Sequence, residues 1–405
     1  MRRYLIVILL LLAACDQTSP TSAPPVGTFA PVARDQPTLP PPAWKEGVEV
    51  ITLNNVPTIA NIGRLDTAST PSTVFTYALS PDGTRLAGLN NEQLISWDLL
   101  TGNIVFNTDR EAALNVFYGA DKTEIFTVDA DGEIRIYNAD SGGAKSNLNS
   151  QITFNSQFAY DADAGWLALG GSDGNIQIWD PSARQSLVTF AAGNSPVKAL
   201  AFSDDGQQLA VSLEGNVTQV WDWHNKQSLA KIPESASRLA FSPDGTQLAV
   251  GDETKIDLWD SQAGKQIFSL ATGPGGVTDV LKYSPDGKFL INGGGIPSMT
   301  VWDTKTGQLV NTLPGIGGDS TSASFSPDGT LLVTSLLGGQ VNLWDVSKIR
   351  EPVLNQAVLN VGTNQILYAD WSSDSHLLLL FDATGPIQVW GIAEAAATAE
   401  PTASS

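Results

Sequence analysis

The sequence predicts an all-β protein: a closed ring of short four-stranded sheets, each built from one repeated unit. Three observations carry this. A Trp at the end of a mostly apolar run recurs at Trp97, Trp179, Trp221, Trp259, Trp302, Trp344 and Trp390, with Tyr137-Asn138 filling one gap. The successive spacings are 40, 42, 42, 38, 43, 42 and 46 residues, and a fixed period of that size means units that bury their faces on one another. A Ser-Pro-Asp-Gly turn recurs inside the unit, starting at Ser80, Ser242, Ser284 and Ser326.

Taken in order, the chain begins with an address. MRRYLIVILLLLAAC has a basic start (Arg2, Arg3), an apolar run from Tyr4 to Leu12 and small residues before Cys15. That is the layout of a secretory signal, and the run is too short to span a bilayer, which takes about 20 residues. The ending Leu12-Ala13-Ala14-Cys15 resembles the bacterial lipoprotein lipobox. By that resemblance residues 1–14 are a signal peptide and Cys15 carries the lipid, with several acyl chains giving a stable anchor. Asp16 to Pro42 holds eight prolines among Ser and Thr. Residues 15–42 therefore read as the lipidated cysteine plus an extended tether, reaching at most roughly 80 Å. Residues 43–392 hold the repeats, and 393–405 are a low-complexity tail.

Each unit reads as four strands. In Ser237–Leu270, Arg238–Phe241 is the first. Ser242-Pro243-Asp244-Gly245 then turns the chain, Pro presetting φ and Gly taking the left-handed position. Gln247–Val250, Ile256–Asp260 and Gln266–Leu270 follow. Their nearly continuous apolar character means that both faces are buried. Eight endings predict eight sheets, with seven as the alternative. The last unit, Gln365–Ile392, shows three strands, so Thr58–Leu65 is expected to supply its outer strand and close the ring.

The repeated Trp-Asp endings, the SPDG turn and the period resemble the WD-repeat β-propellers, over about Val50 to Ile392. The Gly-His pair that precedes the first strand in that family is absent, so its buried His–Ser–Trp–Asp hydrogen-bond set cannot form. Asp173, in GGSDGNIQIWD, keeps one member. The resemblance implies a protein or peptide partner engaged by loops on one rim or by the central channel, and a monomeric ring.

The chemistry that can be excluded is extensive. Net charge is −20, which disfavours a phosphate backbone as partner. One cysteine, Cys15, rules out an internal disulfide. The two histidines, His224 and His376, build no His-rich metal site, and no hydrolase elbow, H-E-x-x-H or phosphate-binding G-x-x-x-x-G-K motif is present. Asp129, Asp131 and Glu133 have spacing suited to calcium but stop short of a full loop. No cofactor is expected, and no enzyme.

The functional expectation is a membrane-anchored platform outside the cytoplasm of a bacterium, on the outer face of the cell membrane or in the envelope. Its rim-loop candidates are Asp173, Asn194, Glu214, Asp252, Glu253 and Asp319. The alternative is a carbohydrate- or small-ligand-binding propeller, even a carboxylate-based hydrolase, with a site at the channel mouth. Two carboxylates about 5–9.5 Å apart in an aromatic-lined pocket would favour it.

Overall fold

The computed structural model describes residues 48–66, 73–110, 113–252, 255–272, 280–293, 298–314, 320–336, 338–351, 357–361, 365–383 and 386–393. The expected signal peptide, Cys15, the tether, and the tail from residue 394 on lie outside them. The described residues form eight sheets in chain order, each with its strands antiparallel to their neighbours. Blades 1 to 7 span 76–109, 113–148, 154–191, 197–232, 238–270, 280–314 and 320–360, and blade 8 spans 366–393. Strands are lettered A to D, in chain order, within each blade. The strands of Ser237–Leu270 fall where the sequence places them, the second being one residue longer, Gln247–Gly251.

Local chemistry makes the hairpins. In blade 5 the amide of Gly245 donates to Ser242 O at 2.8 Å, and Gly245 sits at φ +68°. Asp244 Oδ1 accepts from Ser242 Oγ (2.6 Å) and Thr246 N (3.0 Å), and Ser242 Oγ accepts from Gln247 N (2.9 Å). The Ser–Asp contact repeats at Ser80, Ser203, Ser284, Ser326 and Ser372. The Asp after each Trp has a different task. Asp98 accepts from the amides of Leu100 and Thr101, and Asp260 from those of Gln262 and Ala263, so this carboxylate caps the turn from strand C to strand D.

Burial follows from the stacking. The core lies between blades, as where Leu86, Ile95 and Trp97 of blade 1 pack with Leu379, Phe381 and Val389 of blade 8. Opposite the Trp or Tyr, strand D carries one extra residue: Val105, Lys145, Leu187, Leu229, Ile267 and Val310 in blades 1 to 6. Such a bulge adds twist to the outermost strand and interrupts its open edge.

Ring closure obeys the same rule. Ala60–Leu65 pairs antiparallel with Ile387–Ala393, Leu65 opposite Ile387 and Ala60 opposite Gly391, and it bulges at Ile62 opposite Trp390. An N-terminal strand thus serves as strand D of blade 8, with the register of its counterparts. Val48–Glu49 pairs with the end of the same C-terminal strand. Blade 8 has no turn from C to D, so it needs no capping carboxylate, and Gly391 stands in its place. A Cβ on Gly391 would come within 2.9 Å of Ile62 Cδ1 and 3.1 Å of Val48 Cγ1.

Candidate functional site

The turns from B to C and the connections from D to the next A lie on one rim, and the A–B and C–D hairpins on the other. On the first rim the entering connections are tied down by hydrogen bonds. Ala192 N donates to Gly174 O and Glu214 N to Pro196 O, each at 2.9 Å. Thr218 Oγ1 donates to Glu234 O at 2.7 Å, and Ser237 N to Gly251 O at 2.9 Å. Asp173, Asn194, Glu214 and Asp252 therefore follow one another along a continuous bonded edge of blades 3 to 5. Glu253 and Asp319 lie outside the described residues.

Three of these candidates take part in their own turns as well. Asp173 is exposed and accepts from Asn175 N (3.1 Å) and Nδ2 (2.6 Å), so its carboxylate serves its own turn and does not reach a buried set. Glu214 opens a tight turn with Gly215 at φ +95° and Asn216 at φ +64°. Asp252 Oδ1 accepts from Lys255 N at 3.0 Å.

A polar residue two before the Trp replaces the missing histidine chemistry. The side chain of Gln177 accepts from Gln151 N (2.9 Å), and that of Gln219 donates to Ala192 O (2.6 Å), each fixing the connection that enters its blade. Asp257, whose side chain is fully buried, binds Lys255 Nζ at 2.7 Å, and Lys255 also reaches Glu234 in the connection entering blade 5. Asp257 first, then Glu234, holds the Lys255 ammonium above the usual lysine range. The spacing i, i+2 on a strand puts this residue on the face of the Trp ring. In blade 6, Trp302 Nε1 instead donates to Asn292 Oδ1 at 2.7 Å.

Arginines meet the carboxylates whose spacing suits calcium. Buried Arg110 pairs with Asp129, and Arg135 bridges Asp129 and Glu133. Among the described residues no group of three or more acidic, His or Cys side chains could hold a metal. Trp223, which its turn position suggests is half-exposed, is buried at 2% exposure and donates to Gly206 O at 2.8 Å.

The A strands line the central channel, whose larger lobe, about 710 Å³, lies among blades 8, 1, 2 and 3. Tyr77, Phe117, Tyr118, Tyr160 and Tyr368 line it with two carboxylates, Asp163 and Asp370. Asp370 is already engaged: Oδ2 accepts from Tyr77 Oη (2.9 Å) and Oδ1 from Ser324 Oγ (2.6 Å) and Trp371 N (2.9 Å). These bonds suit a structural carboxylate better than one member of a hydrolytic pair. Sequence reasoning missed the lobe. Its signal was the aromatic residues away from the last position of strand A, at Tyr77, Phe117 and Tyr368.

Comparison with known proteins places the architecture. The family model described as Nucleolar protein 10-like, N-terminal domain, matches residues 68–292, more than half of the chain, and that of the WD domain, G-beta repeat, matches 307–345. Periodic tryptophan protein 2 of Arabidopsis thaliana is 28% identical over 46% of this chain and 21% of its own length. WD repeat-containing protein SL1-17 of Schistosoma mansoni is 28% identical over 37% of this chain and 50% of its own length. APC/C activator protein CDC20 of Saccharomyces cerevisiae is 25% identical over 44% and 31%. The chain thus spans half or less of the length of these relatives. Among solved structures, the C-terminal WD40 domain of Sif2 superposes with a TM-score of 0.66 over 82% of this chain and 98% of that one, at 16% identity. The computationally designed Ika8 protein gives 0.66 over 81% and 99%, at 19%. At these identities the likeness is one of fold.

Proposed function

Because this chain belongs to the WD40-repeat β-propeller family, as its match to the nucleolar protein 10-like N-terminal-domain model requires, we propose that it is a lipid-anchored platform that binds a partner protein outside the cytoplasm. The observation that carries the reading is the bonded rim of blades 3 to 5. Asp173, Asn194 and Glu214 are exposed there on turns whose backbones are already fixed, so a partner pays little ordering entropy on binding. The polar, acidic character of these residues suits a partner with basic or amide-rich loops.

The anchor is proposed from the N-terminal sequence, with Cys15 lipidated and the propeller held at a bacterial cell membrane or in the envelope. The chain's entry into the ring is compatible with it. Val48–Glu49 pairs with Ile392 and Ala393, and Ile51 N donates to Ser375 O at 2.9 Å in an A–B hairpin. Val48–Glu49 therefore lies on the hairpin rim, opposite the rim that carries the candidate loops.

Two experiments test these parts separately. Affinity capture from solubilised membranes, with the full chain and with an Asp173→Lys/Glu214→Lys variant, should recover a species that the variant loses; equal recovery overturns the rim reading. Metabolic labelling with a palmitate analogue should mark the wild type and spare Cys15→Ser, and equal labelling overturns the anchor.

A further inference from the structure

We propose that the channel lobe among blades 8, 1, 2 and 3 binds a small organic ammonium ion. The lobe, about 710 Å³, is the right size for a small molecule. Its walls are aromatic on both sides. Tyr77 and Tyr368 face it from blades 1 and 8 with ring centroids 6.1 Å apart, and Phe117 and Tyr160 from blades 2 and 3 with centroids 4.6 Å apart. Each wall brings one carboxylate, Asp370 on the first and Asp163 on the second. No Lys, Arg or His is among the described lining residues. The other lobe of the channel, lined by blades 4 to 7, differs in carrying Lys282.

The chemistry of the walls selects among ligands. A sugar needs side-chain donors and acceptors that are still available, and most of those here are engaged. Tyr77 Oη is given to Asp370, Tyr160 Oη to Tyr118 O, and Thr76 Oγ1 to Asn115 Oδ1. What the lobe offers is aromatic lining and negative charge. An anion is repelled by both. An ammonium ion carrying alkyl groups is attracted by both, since its charge sits against the negative ring faces while its carbons replace water on apolar surface. The chain's net charge of −20 draws cations towards the mouth. Tyr368, at 36% exposure, and Asp163, on an exposed hairpin, are accessible contacts for a ligand.

The test is calorimetric titration of the full-length protein in a maltoside detergent at low salt, with choline and with 3,3-dimethylbutan-1-ol, its uncharged carbon isostere. Saturable one-to-one binding of choline is expected, at least about tenfold tighter than the isostere. Tyr368→Ala and Asp163→Asn should each weaken choline by about tenfold while leaving the melting temperature in place, and Asp173→Asn on the opposite rim should leave it unchanged. Absence of saturable choline binding, equal affinity for the isostere, or equal weakening by Asp173→Asn overturns the proposal. If Tyr368→Ala fails to fold, Asp163→Asn carries the test alone. None of these outcomes bears on the rim, whose variants are read by partner capture.

Discussion

Tyr77 and Asp370 meet across the seam of the ring: the phenol in strand A of blade 1 donates to the carboxylate in strand A of blade 8 at 2.9 Å. Ser324 of blade 7 holds the other oxygen of that carboxylate at 2.6 Å, so one side chain joins three blades. The ring of Tyr77 also stacks on Phe381, centroids 4.0 Å apart at 18°. The seam is thus held near the channel by side chains and at the periphery by the strand Ala60–Leu65.

Tyr77→Phe keeps the stacking and removes the bond to a charged acceptor. It should lower unfolding stability by about 2 kcal/mol, read from urea denaturation. An unchanged midpoint would show that the bond adds nothing at the seam.

The tyrosines of the A strands make the protein sensitive to alkali. Burial, then Asp370, pushes Tyr77 well above its usual range; burial pushes Tyr118 up to about 12 and raises Tyr160 and Tyr283. The folded state therefore keeps protons that the unfolded chain releases near pH 10. Their contribution is fully present below about pH 10 and is lost above it, with a slope of about 1.4 kcal/mol per pH unit for each tyrosine. Thermal midpoints should hold to about pH 10 and fall beyond it, less steeply in Tyr77→Phe. A flat profile to about pH 11.5 contradicts this.

Gly391→Asp would restore the repeated dipeptide and should nevertheless destabilise. The new side chain meets Ile62 and Val48, with no turn amide to cap. The cost should be about 2 kcal/mol by overpacking, and a stabilised variant would refute the account of why glycine stands there.

Ser375 occupies the position of the turn glycine in blade 8, with φ +59°, where Gly245 has +68° in blade 5. Relief of that left-handed strain in Ser375→Gly should raise stability by about 1 kcal/mol. Gly245→Ser should lose a similar amount, and calorimetry of the pair would expose an error of sign in either.

Removal of residues 44–66 takes away the outer strand of blade 8 together with Ile51, Val56 and Leu65, all buried. At about 2–5 kcal/mol for each large aliphatic side chain, the loss should be at least about 6 kcal/mol. A truncated chain that melts like the full one would mean that the ring closes without this strand.

How far the sequence could be read followed the range of the forces involved. The hairpins at Ser242–Gly245 and the strands of blade 5 were readable because each rests on chemistry within one unit, and the count of eight and the closing strand near Thr58–Leu65 because the repeat counts its own strands and the last unit lacks one. A proline, an acidic side chain and a glycine set the turn within four residues, and a short, nearly continuous apolar run sets the strand within six. The rim candidates Asp173, Asn194, Glu214 and Asp252 were readable as places, since topology puts their connections on one edge. Three things had to wait for the folded ring. Trp223 looked half-exposed beside its turn, but Trp166 lies across it at 4.9 Å, and that contact joins residues 57 positions apart. The bulge at Ile62 is invisible in a short apolar strand, because it exists only in the register with Trp390. The channel lobe exists only once blades 8 and 1 meet. Until closure brings Tyr77 to Asp370, the two strands that make its first wall lie nearly 300 positions apart, and no local pattern in either strand specifies the other.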